Sequence, residues 1–305
     1  MTLDSGIVIA DKPAGMTSHQ VVGHLRRLLG TRKIGHAGTL DPMATGVLIL
    51  GVNRATRLLG HLALHDKRYL ATVRLGQAST TDDAEGQITA LADASGTGAA
   101  ELEAAISPMR GRIRQVPSTV SAIKVGGKRA YALARAGAEV SLSAREVEIT
   151  RLDVLAMRPG DGILDVDVDV ECSSGTYVRA IARDLGQALG TGGHLTALRR
   201  TAVGPFDVAD ALSLEALAER FAMTELSEAA AGLFPVRELT EHEAHELAFG
   251  RVVAPTGTGE TLVAGRAPDG RVIALVSDVR RRGADVAKPQ LVFAPAEGPG
   301  QGRTA

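Results

Sequence analysis

"ILDVDVDVECSSGTYVRAIARDLGQAL", residues 163–189, decides the fold class. Val166, Val168 and Val170 alternate with Asp165, Asp167 and Asp169. A period of two residues, apolar against acidic, is that of a strand with one face buried and the other in water. The loop "SSGTY" follows, and "VRAIARDLGQAL" then reads as a helix running to Gly190. Working outward, strands and helices alternate without a strict βαβ rhythm, so the expected class is α+β rather than a doubly wound parallel sheet.

Toward the N-terminus, "RYLATVRLG", 68–76, sets Tyr69, Ala71, Val73 and Leu75 against Arg68, Leu70, Thr72 and Arg74. That is a second strand with one buried side and a partly basic other side. "GVLILGV", 46–52, reads as a buried strand. Thr17 and Ser18 cap a helix over about 19–29, whose Val21, Val22, Leu25, Leu28 and Leu29 recur at helical spacing and which Gly30 stops. Residues 30–46 are expected as a loop, "TTDDAEGQI" as a turn, and "ADASGTGAAE" as the most linker-like internal stretch before a short helix near 100–106.

Toward the C-terminus, 207 to about 233 is rich in Ala, Leu and Glu and reads as helical. Past Pro235 a short helix, "EHEAHELAFG", precedes apolar runs around "PDGR" and the stretch "KPQLVFAP". The expected division is a large domain, 1–235, a small β domain, 236–294, and a disordered tail, 295–305.

Composition bounds the function. With 305 residues, 45% hydrophobic and 23% charged, the chain is an ordinary globular protein, and 3% aromatics without tryptophan require an aliphatic core. The single Cys172 cannot form an intrachain disulfide and reads as a small buried hydrophobe. Acids at Asp4 and Asp11 speak against a signal peptide, and runs such as "GVLILGV" are far shorter than the ~20 residues that span a bilayer, so a cytoplasmic location is expected.

The net charge of −1 hides a strong asymmetry. Arg26, Arg27, Arg32, Lys33, Arg54, Arg57, Lys67, Arg68 and Arg74 are opposed between 22 and 74 only by Asp41 and Asp66. A second basic stretch holds Arg110, Arg112, Arg114, Lys124, Lys128, Arg129 and Arg135 without an acid. The two could form one basic face or a pair of solvated ones.

Metal chemistry finds little support. His61 and His65 are four apart and His242 and His245 three apart, but neither pair has evident further ligands. No GxxxxGK[ST], GxGxxG or GxSxG motif occurs, and "VGGKRAY" is as easily a hairpin turn as a phosphate loop. Carboxylate chemistry remains. In "GHAGTLDPMATG", 35–46, Asp41 is the lone charged residue among small and turn-forming neighbours. An ionised Asp beside cations keeps a low pKa, which suits a nucleophile better than a general acid. Arg179 and Arg183, in "GTYVRAIARDLG", are candidate partners for it.

Five blocks occur in order: "DKPAGMTSHQVV", "GHAGTLDPMATGVLILGVNRATRL", "DKRYLATVRLGQASTTDDAEG", "QVPSTVSAIKVGGKRAYALARAG" and "SSGTYVRAIARDLGQALGTGGHLTALRRTAVGPF". Together they resemble the bacterial TruB family of tRNA pseudouridine-55 synthases, over about residues 6–206. The resemblance implies a pseudouridine synthase catalytic fold with a central mixed or antiparallel sheet and a small C-terminal PUA-like RNA-binding domain. It implies isomerisation of uridine 55 in the tRNA T arm by base flipping, with no metal or cofactor.

It makes Asp41 the catalytic nucleophile. His36 would fill the space the flipped base leaves, and Tyr69 would stack on the uracil and take part in proton transfer. Tyr177 and Leu198 would line the pocket, Arg179 would pair with Asp41, and Lys12 would lie near the site floor. "QVPSTVSAIKVGGKRAY" would extend the RNA contact surface. The partner expected is tRNA, with no guide RNA and no membrane, and the protein a monomer. A guide-dependent enzyme of the dyskerin type and a non-catalytic RNA chaperone are the competing readings.

Overall fold

A computed structural model describes residues 4–119, 124–125, 128–129 and 142–293. The strands are β1 (Gly6–Lys12), β2 (Ile34–Ala37), β3 (Thr45–Val52), β4 (Lys67–Leu75), β5 (Gln77–Ser79), β6 (Ile88–Ala90), β7 (Gly111–Gln115), β8 (Lys124–Val125) and β9 (Lys128–Arg129). They continue with β10 (Arg145–Pro159), β11 (Leu164–Cys172), β12 (Gly193–Val203), β13 (Phe206–Asp207), β14 (Thr224–Glu225), β15 (Val236–Glu238), β16 (Val263–Arg266), β17 (Val272–Arg281) and β18 (Ala284–Val292). The central sheet runs β14-β1-β3-β12-β4-β11-β10-β7, with β2 added to β3 and β13 to β12. Its described pairings are antiparallel except β12 on β3, so the sheet is mixed. A second sheet, β15-β16-β17-β18, stands apart in sequence after Pro235.

Alternation forms the central strands as expected. On β4 and β11 the valine, leucine and tyrosine side is buried, and the facing acids and arginines pair across the other side: Arg74 grips Asp165 at 2.7 and 2.8 Å. Helix Ser18–Leu29 starts on a capping box between Thr17 and Gln20 and stops at Gly30, whose φ is +61°. It covers one face of β1 and β3 through Val21, Val22 and Leu25. Helices Ala99–Ile106 and Val178–Ala188 cover β4 and β11.

Three expectations change. Residues 30–46 are not all loop: β2 pairs with β3 from Ile34↔Val52 to Ala37↔Ile49, a tertiary pairing that no local alternation announces. "ADASGTGAAE" is no linker, because Ala94 is buried in the main core. The region 207–233 is broken into helices Leu214–Glu219 and Leu226–Leu233 by β14, which edges onto β1.

The cations of the first basic stretch are partly committed inside the molecule. Arg26 donates to the Ile34 carbonyl, Arg54 and Arg57 to the carbonyls of Phe293 and Val292, and Lys67 to those of Ala63 and His65. Arg27, Arg32, Lys33 and Arg68 remain exposed. In the second stretch Arg110 pairs with Glu103 and Arg112 with Glu148. At "VGGKRAY" the described residues show β8 and β9 paired antiparallel, Lys124↔Arg129 and Val125↔Lys128. Of the block "QVPSTVSAIKVGGKRAY" read as an RNA contact surface, residues 120–123, 126–127 and 130–131 lie outside the described residues, as does the tail from 294. Among the described residues, no helix is long and apolar enough to cross a membrane.

Candidate active site

The centre of the sheet is where β3 and β12 meet in a short parallel pair, Arg199↔Thr45 and Arg200↔Gly46. The "GHAGTLDPMATG" segment enters there from β2 and leaves as β3. Gly46 holds φ +100°, and a Cβ on it would lie 2.1 Å from the Arg200 carbonyl oxygen. Only glycine lets the two strands approach this closely. The Ser18 hydroxyl pins the loop at its middle, donating to the Leu40 carbonyl at 3.1 Å and accepting from the Leu40 amide at 2.9 Å. Leu40 is thereby turned into the core, and Asp41 next to it faces the site.

Arg179 rises from the first turn of helix Val178–Ala188 and grips Asp41 with two donors, Nε to Oδ2 at 2.9 Å and Nη2 to Oδ1 at 3.0 Å. Its Nη1 reaches the other way, to Asp83 Oδ2 at 3.2 Å and the Thr81 carbonyl at 3.1 Å. The guanidinium is 5% exposed and Asp83 2%, whereas Asp41 keeps 30% of its side chain open. One planar fork thus orients the only one of the two carboxylates that can meet a ligand. Glu85 lies on the rim; burial and the charges of Asp83 and Asp41 push its carboxyl up.

The expected low pKa of Asp41 is corrected here. Burial pushes its carboxyl above the ordinary aspartate range, Arg179 pulls it down, and Asp83 adds to the upward push. Cations nearby in sequence do not solvate a carboxylate; Arg179 does so by direct contact.

Lys12 is fully buried, so a surface role is ruled out. Its ammonium donates to the carbonyls of Pro13, Met16 and Pro42, fastening the end of β1 beneath the Asp41 loop. Burial lowers its pKa to about 8, with the Asp41 and Glu85 charges working in the opposite direction. Tyr69 and Leu198 lie in the core cluster that also holds Leu40, Ala44 and Val178, on adjacent strands β4 and β12. Burial raises the Tyr69 phenol's pKa, against the charge and hydrogen bonding of Arg200. Tyr177 begins the Arg179 helix, and its backbone is held at both ends by the Gln115 amide, at 2.9 and 3.2 Å. His36 stands on β2, edge-on to His19 with ring centres 5.4 Å apart.

Arg179 is therefore on Asp41, Lys12 is under it, Tyr69 and Leu198 line the adjoining core, and His36 is on the strand leading in. Sequence reading passed over Asp83, Gln115 and Arg200. Asp83 sits in the stretch read only as a turn; its adjacent acids beside three polar residues were the available signal. Arg200 lies two positions after Leu198 on one strand, so strand periodicity could have put both on one side. Gln115 left no signal. Among the described residues, no group of three His, Cys, Asp or Glu could hold a metal, and Cys172 is buried with its thiol pushed up to about 11.

A model of the TruB family pseudouridylate synthase N-terminal domain matches residues 26–178. One for the tRNA pseudouridylate synthase B C-terminal domain matches 179–255, and one for the tRNA pseudouridine synthase II C-terminal region matches 234–294. A protein named tRNA pseudouridine synthase B from Arthrobacter sp. (strain FB24) is 56% identical, over 97% of this chain and 99% of its own. One of the same name from Mycobacterium sp. (strain KMS) is 56% identical over 95% and 97%. A chain in the solved H/ACA RNP bound to a substrate RNA containing 2′-deoxyuridine shares the fold with a TM-score of 0.72 at 23% identity, covering 96% of this chain and 86% of that one. A chain of a Cbf5-Nop10-Gar1 complex does so at 0.73 and 24%, with the same coverage. At such identities the structural likeness concerns the fold alone.

Proposed function

The chain belongs to the TruB family of pseudouridylate synthases, and from that premise we propose that it converts uridine 55 in the tRNA T arm to pseudouridine, with Asp41 as the nucleophile. It is a tRNA pseudouridine synthase by its relatives; the position and the mechanism are our reading. The observation that carries it is the two-donor grip of Arg179 on a carboxylate that stays partly open, while the second carboxylate on the same guanidinium is closed off.

A carboxylate held this way suits attack on a sugar carbon. Its oxygen would bond to C1′ as the N1–C1′ bond breaks; the released uracil turns, and C5 displaces the carboxylate from C1′. N1 ends protonated and C5 deprotonated, so the step is an isomerisation without a net co-reactant. The same ionised oxygen could instead take the C2′ proton and pass through a glycal. Either route needs the target uridine out of its stack. His36 would occupy the gap it leaves, Tyr69 would stack on it, Tyr177 and Leu198 would bound the pocket, and Lys12 would hold the floor. The exposed Arg27, Arg32, Lys33 and Arg68 suit phosphate contacts that position without specifying. The second sheet would act as a PUA-like RNA-binding unit, and the enzyme as a cytoplasmic monomer that needs no guide RNA.

Purified protein alone should modify an unmodified tRNA transcript at position 55, read by carbodiimide-adduct primer extension. Asp41→Asn should bind the transcript within about threefold of wild type and lose at least ~10⁴ in rate. Full-rate product from that variant would sink the nucleophile assignment, and modification at a different uridine would sink the position. Activity should also survive a chelator; loss restored by zinc would reopen the histidine pairs.

A further inference from the structure

Arg199 and Arg200 are neighbours on β12 with opposite fates. Arg199 points to the polar side and is neutralised by both oxygens of Asp11, at 3.1 and 2.7 Å. Arg200 points inward and is 1% exposed. Its Nε donates to the Val47 carbonyl at 2.7 Å and its Nη2 to the Gly38 carbonyl at 2.9 Å, one on each side of the Asp41 loop. A Cβ on Gly38, which has φ +74°, would come within 3.4 Å of Nη1. These partners are carbonyl oxygens, which satisfy donors but do not cancel a charge. A second buried cation, Lys67, lies beside the same glycine, its Cε 3.6 Å from that Cβ position, and is likewise held by carbonyls.

Burying a cation without a carboxylate is costly, and a strut between two carbonyls could be built from a neutral side chain. The charge itself therefore calls for a use. Arg200 is the register partner of Tyr69 across β12 and β4, and its charge and hydrogen bonding bear on the phenol oxygen.

We propose that Arg200 is a positioning residue for the isomerisation: its buried guanidinium ties the Asp41 loop to the strand bearing Tyr69 and holds positive charge against the Tyr69 oxygen. This rests on the reading of Tyr69 as the group that stacks on the flipped uracil and moves protons. The phenol gives its proton to the uracil nitrogen freed when N1–C1′ breaks, leaving a phenolate under the Arg200 charge. After C5 has bonded to C1′, the phenolate takes the C5 proton and the C5–H electron pair returns to the ring. Tyr69 ends as it began, and no outside acid or base is consumed.

The test is a double-mutant cycle of Arg200→Met and Tyr69→Phe in the full-length protein, read by single-turnover rate on a T-arm transcript and by transcript binding. Alone, Arg200→Met should slow the reaction at least about 30-fold with binding held within about threefold. In the Tyr69→Phe background it should cost less than about threefold more, because the charge then has no oxygen to act on. With 5-deuterated uridine in the transcript, Arg200→Met should show a larger isotope effect than wild type, and Arg200→Lys, which keeps the charge, should bring it back down. Losses that multiply in the double mutant, or an isotope effect equal in all variants, would make Arg200 a strut only and overturn the proposal. A Tyr69→Phe variant as fast as wild type would overturn the Tyr69 reading itself, a distinct result. If Arg200→Met fails to fold, Arg200→Gln, which also removes the charge, carries the same cycle and the same criteria.

Discussion

At the scale of the residue, this molecule spends its polar contacts on holding cations out of water. Lys67 is 8% exposed and bonded to the carbonyls of Ala63 and His65; burial and the nearby Arg200 lower its pKa to about 8. The unfolded chain returns it to about 10.4. Between those values the unfolded state binds more protons than the folded one, so folding stability contributed by this site rises with pH, and below about 8 it is flat. Compared with Lys67→Met, whose other titrations cancel in the difference, the wild type should gain on the order of 1 kcal/mol of relative stability between pH 8 and 10.4. Urea denaturation of both proteins at several pH values across that window measures it. No relative change over the window would mean that the carbonyls fully compensate the burial of the ammonium, and a relative loss that they over-compensate it. Asp41 shows the complementary lesson. Sequence neighbours suggested a depressed carboxyl, but desolvation acts on a buried group whatever lies near it in the chain; what opposes it is first the contact with Arg179, 138 positions away, and then the charge of buried Lys12.

At the scale of the element, the parallel junction of β3 and β12 is the construction on which the site depends, and it turns on one glycine. Gly46→Ala would bring a methyl to 2.1 Å from the Arg200 carbonyl oxygen at a backbone angle of +100°. The strands must part, and Arg200, Leu198 and the Asp41 loop move with them. The expected cost is at least about 3 kcal/mol of stability, with activity falling more than stability predicts at temperatures where the variant stays folded. Equal melting temperature and rate would show that the junction has room it does not display. The alternating stretches β4 and β11 and the capped helix Ser18–Leu29 were legible because periodicity and caps are local signals. This junction was not, nor was β2, since strand partners separated by as many as 154 residues leave no mark on either segment. The same holds within the site. Asp41 stood out as a lone charge, the need of a carboxylate for a partner offered Arg179 beside Arg183, and the resemblance supplied Tyr69, yet Asp83 and Gln115 owe their places to contacts that only the folded chain makes.

At the scale of the whole molecule, the change in character after Pro235 marks the start of a second sheet but not a loose attachment. Ile7, Ile49, Leu58 and Leu62 of the first sheet's side share one apolar cluster with Ala264, Val272, Leu275 and Phe293 of the second. Arg54 and Arg57 reach across to the carbonyls of Phe293 and Val292, and the Ser227 hydroxyl accepts from the Val272 amide at 3.0 Å. A shared core of this kind resists relative motion more than a polar domain contact does. A chain ending after Phe234 should therefore lose stability rather than merely an RNA-binding appendage. The apolar face around Leu58 and Leu62 would be uncovered. We expect a melting temperature lower by roughly 5 °C or more and binding of a hydrophobic dye that the full chain does not show. Should the shortened protein melt unchanged, bind no dye and lose only affinity for tRNA, the second sheet would be an independent module, and the cluster beneath it would be contact without consequence. The expected result makes the two sheets one mechanical body, so that RNA held by the second would be held in fixed register with Asp41.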